Sequence, residues 1–332
     1  MVDTGGQQNV VTPMKYCFVT YLLISAGLSG PLWAHDAEPD REPITLDAVF
    51  GKLGIDPDKP VQVQEIDDGF YVMFAVGGNI LVSSGADGVL IIDDQFPHMI
   101  PRLKAAMLER GDKQVDFAVN THWHFDHAGG NEALSAEGTW LVSQANSRQK
   151  LQSDQLINLG PLTVLQNAYP PQALPDITFD DTMQFHLNGE RIELWNFGPA
   201  HTTGDATVYF SGHGTVHMGD VFNLAGYPFV DAGNGGTLDG MLKTCEAVLD
   251  RIGENTIVIP GHGPVSDRAG LEAYTAMLRH VYEQMTRMIQ SGSSLEEIQA
   301  AGITQQWDKT KGDPSSFLER SYTSLTHRHP EN

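Results

Sequence analysis

The chain has few cysteines, few basic residues and no long apolar run. Its two cysteines, Cys17 and Cys245, lie far apart in 332 residues. Cys17 falls in a leader-like segment, so Cys245 would stand alone after processing and no internal disulfide could form. Lys and Arg number 20 against 42 Asp and Glu, a formal net charge of -22. That balance argues against nucleic acid, whose phosphates need basic neutralisation, and against anionic membrane surfaces. There is no GxGxxG or Walker-type loop to cradle a nucleotide phosphate, no solenoid-length repeat and no low-complexity tract. What remains is ordinary globular material, 41% hydrophobic and 19% charged, long enough for one large domain or two small ones.

The longest apolar run, residues 17–28, follows a Met-Lys pair and leads into small and turn residues. It is short and Gly/Ser-rich for a membrane span and reads as an export leader, cut after Ala34. Residues 1–13 are polar, precede a second methionine, Met14, and read as an upstream extension. The expected organisation is 1–34 removed, 35–62 a linker, 63–290 a catalytic domain and 291–332 a helical appendage. The expected location is periplasmic or secreted, with no membrane attachment after processing.

Residues 69–96, "GFYVMFAVGGNILVSSGADGVLIIDDQF", hold three β-rich runs split by "VGGN" and "SGADG", the pattern of an antiparallel meander. Residues 99–111 read as a helix closed by glycine. "VDFAVNT" (115–121) is a short buried strand, "TWLVSQANSRQKLQ" passes from strand to helix, and "RIELWNFGPA", "DATVYFSGHGTVHMGD" and "TIVIPGHG" contain further strands. Residues 268–290 form an amphipathic helix along Leu271, Tyr274, Leu278, Val281, Met285 and Met288. Cys245 shares a helical stripe with Leu238, Met241, Val248, Leu249 and Ile252, which makes it a core residue. Strands in two groups, each followed by helices, imply two facing sheets with helices outside, an α/β class. The apolar, Pro-broken stretch 155–176 is compatible equally with a pocket cover and with a packed surface loop. From Ser291 onward a short helix and an irregular tail are expected.

"NTHWHFDHAGGN" (120–131) crowds His122, His124, Asp126 and His127 into six positions where a strand ends. Taken alone it could be a solvated polar turn. Three more groups recur beside glycine or proline at strand ends: His201 in "GPAHTTGD", Asp220 in "VHMGDVF" and His262 in "IPGHGP". Imidazoles and carboxylates without thiolate suit Zn²⁺ best, with Mn²⁺ or Fe²⁺ as alternatives. Seven ligands exceed one tetrahedral ion and fit two. His98, His186, His213, His280, His327 and His329 lack such context. His217, three residues before Asp220, is expected to project to the opposite face.

These motifs resemble, in order and spacing, those of the metallo-β-lactamase-fold superfamily over about residues 64–280. The opening cluster matches its H-x-H-x-D-H. "LIIDDQF" resembles its "LIDTG" strand end and places Asp93 as the carboxylate supporting the ligand loop. "GPAHTTGD" resembles "GHTPG", "MGD" its bridging-aspartate motif and "PGHGP" its final histidine. The resemblance implies a four-layer αβ/βα sandwich of two mainly antiparallel sheets. It implies one zinc on His122, His124 and His201, a second on Asp126, His127 and His262, and Asp220 between them. It also implies a hydrolase in which zinc supplies hydroxide at neutral pH, with Asp126 as proton shuttle and Asp220 as bridge.

Clinically important lactamases of the family carry Cys or Ser where Asp220 stands. Aspartate there resembles lactonases, glyoxalase-II-like thioesterases and phosphodiesterases. The nuclease branch is disfavoured by the net charge and by the absence of its extra domain from this sequence. The flavoprotein branch usually has Glu in place of His124 and carries a flavodoxin domain absent from this sequence. The expected partner is therefore a small-molecule ester, lactone or thioester, with β-lactam hydrolysis as the alternative. An alternative of another class is a non-catalytic metal-binding accessory protein of a periplasmic redox system.

Overall fold

The computed structural model of the protein describes residues 42–327, apart from Lys113 and Pro161. The expected leader, Cys17 and the cut after Ala34 lie outside the described residues. The first sheet has seven strands in the order Ile177–Phe179, Trp140–Gln144, Phe117–Asn120, Gly88–Ile92, Ile80–Gly85, Phe70–Phe74 and Gln62–Asp67. The last four form an antiparallel meander, and the first three add in parallel. The second sheet orders Thr182–Leu187, Glu190–Trp195, Thr207–Phe210, Thr215–His217, Ile257–Ile259 and Ser266–Asp267, antiparallel except for the pairing of Thr215–His217 with Ile257–Ile259.

Side-chain alternation along the strands builds the layers. Phe70, Val72, Leu81, Leu90, Ile92 and Val119 face the second sheet, where they meet Ile192, Leu194, Val208, Phe210 and Ile259. Their neighbours Tyr71, Met73, Ile80, Val82, Ile91 and Ala118 turn outward, under a helix at Ile100–Leu108 that contributes Leu103 and Met107. A strand buried on both faces needs apolar residues at every position, which is why "FYVMF" and "ILV" show no polar alternation. On the far side, Val216 and Val258 pack under the helices Leu238–Leu249 and Arg268–Gln290 through Met241, Cys245, Leu271, Leu278 and Val281. Each fully buried aliphatic chain here contributes about 1.5–3 kcal/mol. The expected αβ/βα sandwich is present, and Cys245 is a buried core residue. Among the described residues no helix is long and apolar enough to cross a membrane.

Three segments differ from expectation. Residues 155–176 are neither a simple cover nor a loop. Gln155–Asn158 and Thr163–Gln166 form a hairpin that Ile44–Thr45 joins as a third, small sheet. The stretch read as a linker thus carries that edge strand and a helix, Leu46–Leu53, whose Val49 is buried in the outer core of the first sheet. As far as residue 327 the expected helical appendage forms three helices, Leu295–Ala300, Gln305–Lys311 and Ser315–Thr326, where one short helix and an irregular tail were expected. Phe317 and Leu318 of the last enter the same cluster as Cys245 and Leu278. Apart from Ser315–Thr326 these helices are short, with 6 to 8 residues, so their apolar periodicity covers about two turns. The capping box Ser294-x-x-Glu297 was the readable signal.

Candidate metal centre

Strands two apart in an antiparallel meander run the same way. The carboxyl ends of Glu190–Trp195, Thr215–His217 and Ile257–Ile259 therefore open on one edge of the second sheet. Gly88–Ile92 and Phe117–Asn120, which are parallel, open on one edge of the first. His201, Asp220 and His262 follow the former ends, and Asp93, His122 and His124 follow the latter. A single helical turn, Phe125–Ala128, carries Asp126 and His127. Asp220 sits in the 3₁₀ turn Gly219–Val221 instead of on a strand.

All seven expected groups come together, in two sets. His122 Nε2, His124 Nδ1 and His201 Nε2 lie 3.0–3.2 Å from one another. Each ring's other nitrogen is engaged. His122 Nδ1 meets Thr121 Oγ1 at 3.1 Å, His124 Nε2–H donates to Asp231 Oδ2 at 3.0 Å, and His201 Nδ1–H donates to the Phe229 carbonyl at 2.7 Å. These bonds assign the tautomers and leave three lone pairs facing one point. Lone pairs so arranged repel unless a cation stands between them. Their spacing is close to the edge, about 3.3 Å, of a tetrahedron of zinc-bound nitrogens.

The second set is ionic. His127 Nε2 and His262 Nε2 are 3.2 Å apart, and Asp126 Oδ2 lies 3.2 Å from His262 Nε2 and 3.7 Å from His127 Nε2. Asp220 Oδ1 lies 3.3 and 3.5 Å from the same two nitrogens. That oxygen is buried and makes no well-directed hydrogen bond. Asp220 also groups with His122 and His127, so it touches both sets. A Cβ on Gly261 would stand 1.9 Å from Asp220 Oδ1, so only glycine lets the His262 loop pass there. The donor chemistry of both sets fits a hard-to-borderline divalent ion such as zinc.

The charge states differ accordingly. Burial and the neighbouring imidazoles push His122 well below the usual histidine range, and His201 is lowered by burial and by His124. Burial also disfavours charge on His127 and His262. Asp126 and Asp93 beside His127, and Asp220 and Asp126 beside His262, outweigh it and raise both rings. Burial pushes Asp126 up, but His127 and His262 carry it down to about 2. Asp220 is held well below the carboxylate range against its burial by the charges of His262 and His127.

Asp93 occupies the place expected for it. Its Oδ1 accepts from Thr121 N at 2.7 Å, and its Oδ2 accepts from Thr121 Oγ1 at 2.9 Å and His127 Nδ1 at 2.7 Å. Its φ is +66°, a left-handed conformation costing about 1–3 kcal/mol for a non-glycine residue. The three accepted bonds hold it there. Its neighbour Asp94 accepts from Gly130 N and Asn120 Nδ2 and pins the glycines that follow His127. Burial pushes the Asp94 carboxyl well up.

Two further functional groups were not foreseen. Asp231 orients His124 and is itself held by Asn234 Nδ2, at 3.1 and 3.0 Å to its two oxygens. The only hint was the glycine-rich "DAGNGG" around it. Asp205 locks the His201 turn by accepting from Thr202 N and Oγ1, both at 2.8 Å. His217 is no member of either set, as expected. Its strand ends before Asp220, and its ring lies buried between the Asn79 carbonyl and the Gly219 amide.

Comparison with known proteins follows these strands. The chain is 25% identical over 210 residues to a protein named metallo-beta-lactamase type 2 from Bacillus cereus, covering 62% of this chain and 75% of that one. It is 27% identical over 181 residues to a mitochondrial hydroxyacylglutathione hydrolase of Saccharomyces cerevisiae, covering 52% of this chain and 55% of that one. A solved metallo-beta-lactamase from Pontibacter korlensis superposes with a TM-score of 0.53 at 20% identity, over 66% of this chain and 99% of that one. An inverting sec-alkylsulfatase from Pseudomonas sp. gives 0.63 at 17% identity, over 81% and 51%. Identities this low in the two structures speak for the fold alone. The family description "Metallo-beta-lactamase superfamily" matches residues 67–280. A match of that length, laid over the very strands whose ends carry the centre, makes the chain a member of the metallo-β-lactamase superfamily of hydrolases.

Proposed function

We propose that the protein is an exported zinc-dependent hydrolase that opens a small ester, lactone or thioester. His122, His124 and His201 would hold one zinc ion, Asp126, His127 and His262 a second, and Asp220 would bridge them. The observation that carries this reading is Asp220, a buried carboxylate oxygen with no well-directed hydrogen bond, set among groups of both sets. When bound, zinc supplies hydroxide at neutral pH and polarises a carbonyl.

The chain's own residues supply the rest. Asp126 keeps 23% of its side chain exposed against 9% for Asp220, so of these two carboxylates Asp126 has the more open path to substrate. Against its burial, His127 and His262 hold it ionised, and it stands as the proton acceptor of this reading. Asp220 holds negative charge at the centre. That charge disfavours a developing anion on nitrogen and costs little where the leaving group is an alkoxide or thiolate. The likeness to hydroxyacylglutathione hydrolase, named for a thioester substrate, supports the same class.

A second reading, β-lactam hydrolysis, is favoured by the longer coverage of the Bacillus cereus relative. Side-by-side kinetics on one zinc-loaded preparation separate them. A lactone or thioester should exceed any penicillin or cephalosporin in kcat/KM by at least ~10-fold, about 1.4 kcal/mol. Faster β-lactam turnover would give specificity to the loops and make the second reading the leading one. Export is tested by N-terminal sequencing of the secreted or periplasmic fraction. A start at His35 supports it, and an intact Met1 or Met14 on cytoplasmic protein would overturn it.

A further inference from the structure

The turn at residues 75–79 joins the strands Phe70–Phe74 and Ile80–Gly85 of the first sheet, yet its bonds reach the second. Asn79 is buried. Its backbone N–H donates to the Gly261 carbonyl at 2.7 Å. Its side-chain Nδ2 donates to the carbonyls of Pro260 at 2.8 Å and Gly263 at 2.9 Å. Three carbonyls around His262 are thus held by one residue of the opposite sheet. The Asn79 carbonyl accepts from His217 Nε2–H at 3.0 Å, and His217 Nδ1 accepts from the N–H of Gly219, next to Asp220, at 3.2 Å.

The preceding residue completes the reach. Gly78 N–H donates to the Asp126 carbonyl at 2.9 Å. A Cβ on Gly78 would stand 2.3 Å from the His127 ring, so the backbone itself packs on that imidazole. Gln95 holds the turn from below, accepting from Gly77 N at 3.3 Å and donating to the Gly78 carbonyl at 2.6 Å. Residues 78 and 79 therefore address Asp126, His127 and the His262 loop directly, and the Asp220 turn through His217. None of their hydrogen bonds goes to His122, His124 or the His201 loop; the bond to the segment that carries His122 and His124 falls on Asp126. Those rings take their orientation from Thr121, Asp231 and Phe229.

This division has a geometric reason. Each set draws on both sheets, since His122, His124, Asp126 and His127 follow the first and His201 and His262 the second. Each therefore needs contacts of its own across the gap. The three-histidine set has His124 to Asp231 and the Ala206 N–H to the Thr121 carbonyl, and the second set has the Asn79 turn. The His262 loop's other backbone bonds, Gly261 N to Gly219 and Phe222 and Leu224 N to the His262 carbonyl, stay within its own sheet's loops. The Asn79 bonds are the ones that cross.

We propose that Asn79 is a positioning residue for the second metal position alone, clamping the His262 loop against the Asp126–His127 turn and so setting the occupancy of that position but not of the three-histidine one. The proposal rests on the two-metal reading above. Losing a group that orients ligands from outside the coordination shell typically weakens a metal 10–100-fold.

The test titrates metal-free protein with zinc against a chromophoric chelator, and with cobalt(II) by absorbance, comparing wild type, Asn79→Asp and Asn79→Ala. Asn79→Asp keeps the side-chain shape and removes both donors; Asn79→Ala removes the clamp. Wild type should take up two equivalents. Each variant should keep the step assigned to the three histidines unchanged and weaken the other about 10–100-fold. Retained thermal unfolding cooperativity and the intact first step show that the variants are folded, and the near-isosteric Asp variant decides the matter if the Ala variant fails to fold. Two unchanged steps, or equal weakening of both, would overturn the proposal. Uptake of one equivalent by wild type would instead overturn the two-metal reading itself.

Discussion

The two halves of the centre solve the same problem in opposite ways. In the three-histidine half, a tripod of rings, burial disfavours charge on His122 and His201, and the rings are oriented by a hydroxyl, a carboxylate and a backbone carbonyl, one for each. The other half is charged, with Asp126 and Asp220 against His127 and His262, and its His262 loop is tied to the first sheet by Asn79. Rings whose charged form is disfavoured by burial offer lone pairs for which protons compete weakly with a metal. An ionic cluster stores protons on its histidines and must release them to a metal. The lesson is that ligand type alone does not set affinity. The protonation state that neighbours impose on each ligand sets it as well.

The largest break in the comparison should come from the tripod. His122→Ala removes one of three imidazole donors beside the Asp220 contact shared by both sets. It should lower zinc affinity there by more than the ~100-fold seen for outer groups, and kcat/KM by roughly 1000-fold, about 4 kcal/mol. Chelator removal of metal should abolish hydrolysis, and zinc should restore it. Metal analysis and kinetics on the same samples check both.

Acidity should separate the halves next. His127 and His262 are raised above the ordinary 6.5, while His122 and His201 are lowered. A raised pKa means that the proton competes with metal from a higher pH downward. As pH falls from about 8 to about 5, the ionic half should lose its ion first, from two equivalents to one, and the tripod should follow at lower pH. Simultaneous loss of both ions would show that Asp220 couples the halves more tightly than their separate environments divide them.

Asp231→Asn offers the mirror image of the Asn79 experiment. The amide still accepts from His124 but no longer carries charge. Zinc at the tripod should weaken about 10–100-fold, with the second step unchanged, measured by the same titration. The smallest effect is expected at Cys245, a soft donor that belongs to neither half. It is fully buried and packs near the Val221 carbonyl, behind the Asp220 turn. Cys245→Ala should cost about 1 kcal/mol of stability in a denaturant titration, with metal content unchanged.

Much of this was legible because the ligands announce themselves locally. H-x-H-x-D-H, "GPAHTTGD", "MGD" and "PGHGP" are compact segments, each tied to a strand end by its own glycines and prolines. Asp93 was legible for the same reason. Asp231 and Asn79 were not, since their meaning lies in partners 107 and 181–184 residues away. No local pattern marks an asparagine that will bracket a distant histidine. The two-residue strand Ile44–Thr45 is similar: its partners are Val164 and Leu165, and two residues carry no period.

The amino-acid sequence by itself determined the layers and the donor set. Continuous apolar runs such as "FYVMF" and "ILV" call for burial on both faces of a sheet, and clustered imidazoles and carboxylates without thiolate have few other uses. The tertiary structure decided how those donors divide. It brought Asp220 to touch both sets, gathered Asp126 and Asp220 round His127 and His262, and tied the His262 loop to the first sheet through the turn that carries Asn79. Those outcomes depend on distances of about 3 Å between residues such as His201 and His122, 79 positions apart, and His127 and His262, 135 apart. Chain connectivity does not specify such distances; packing of the two sheets does.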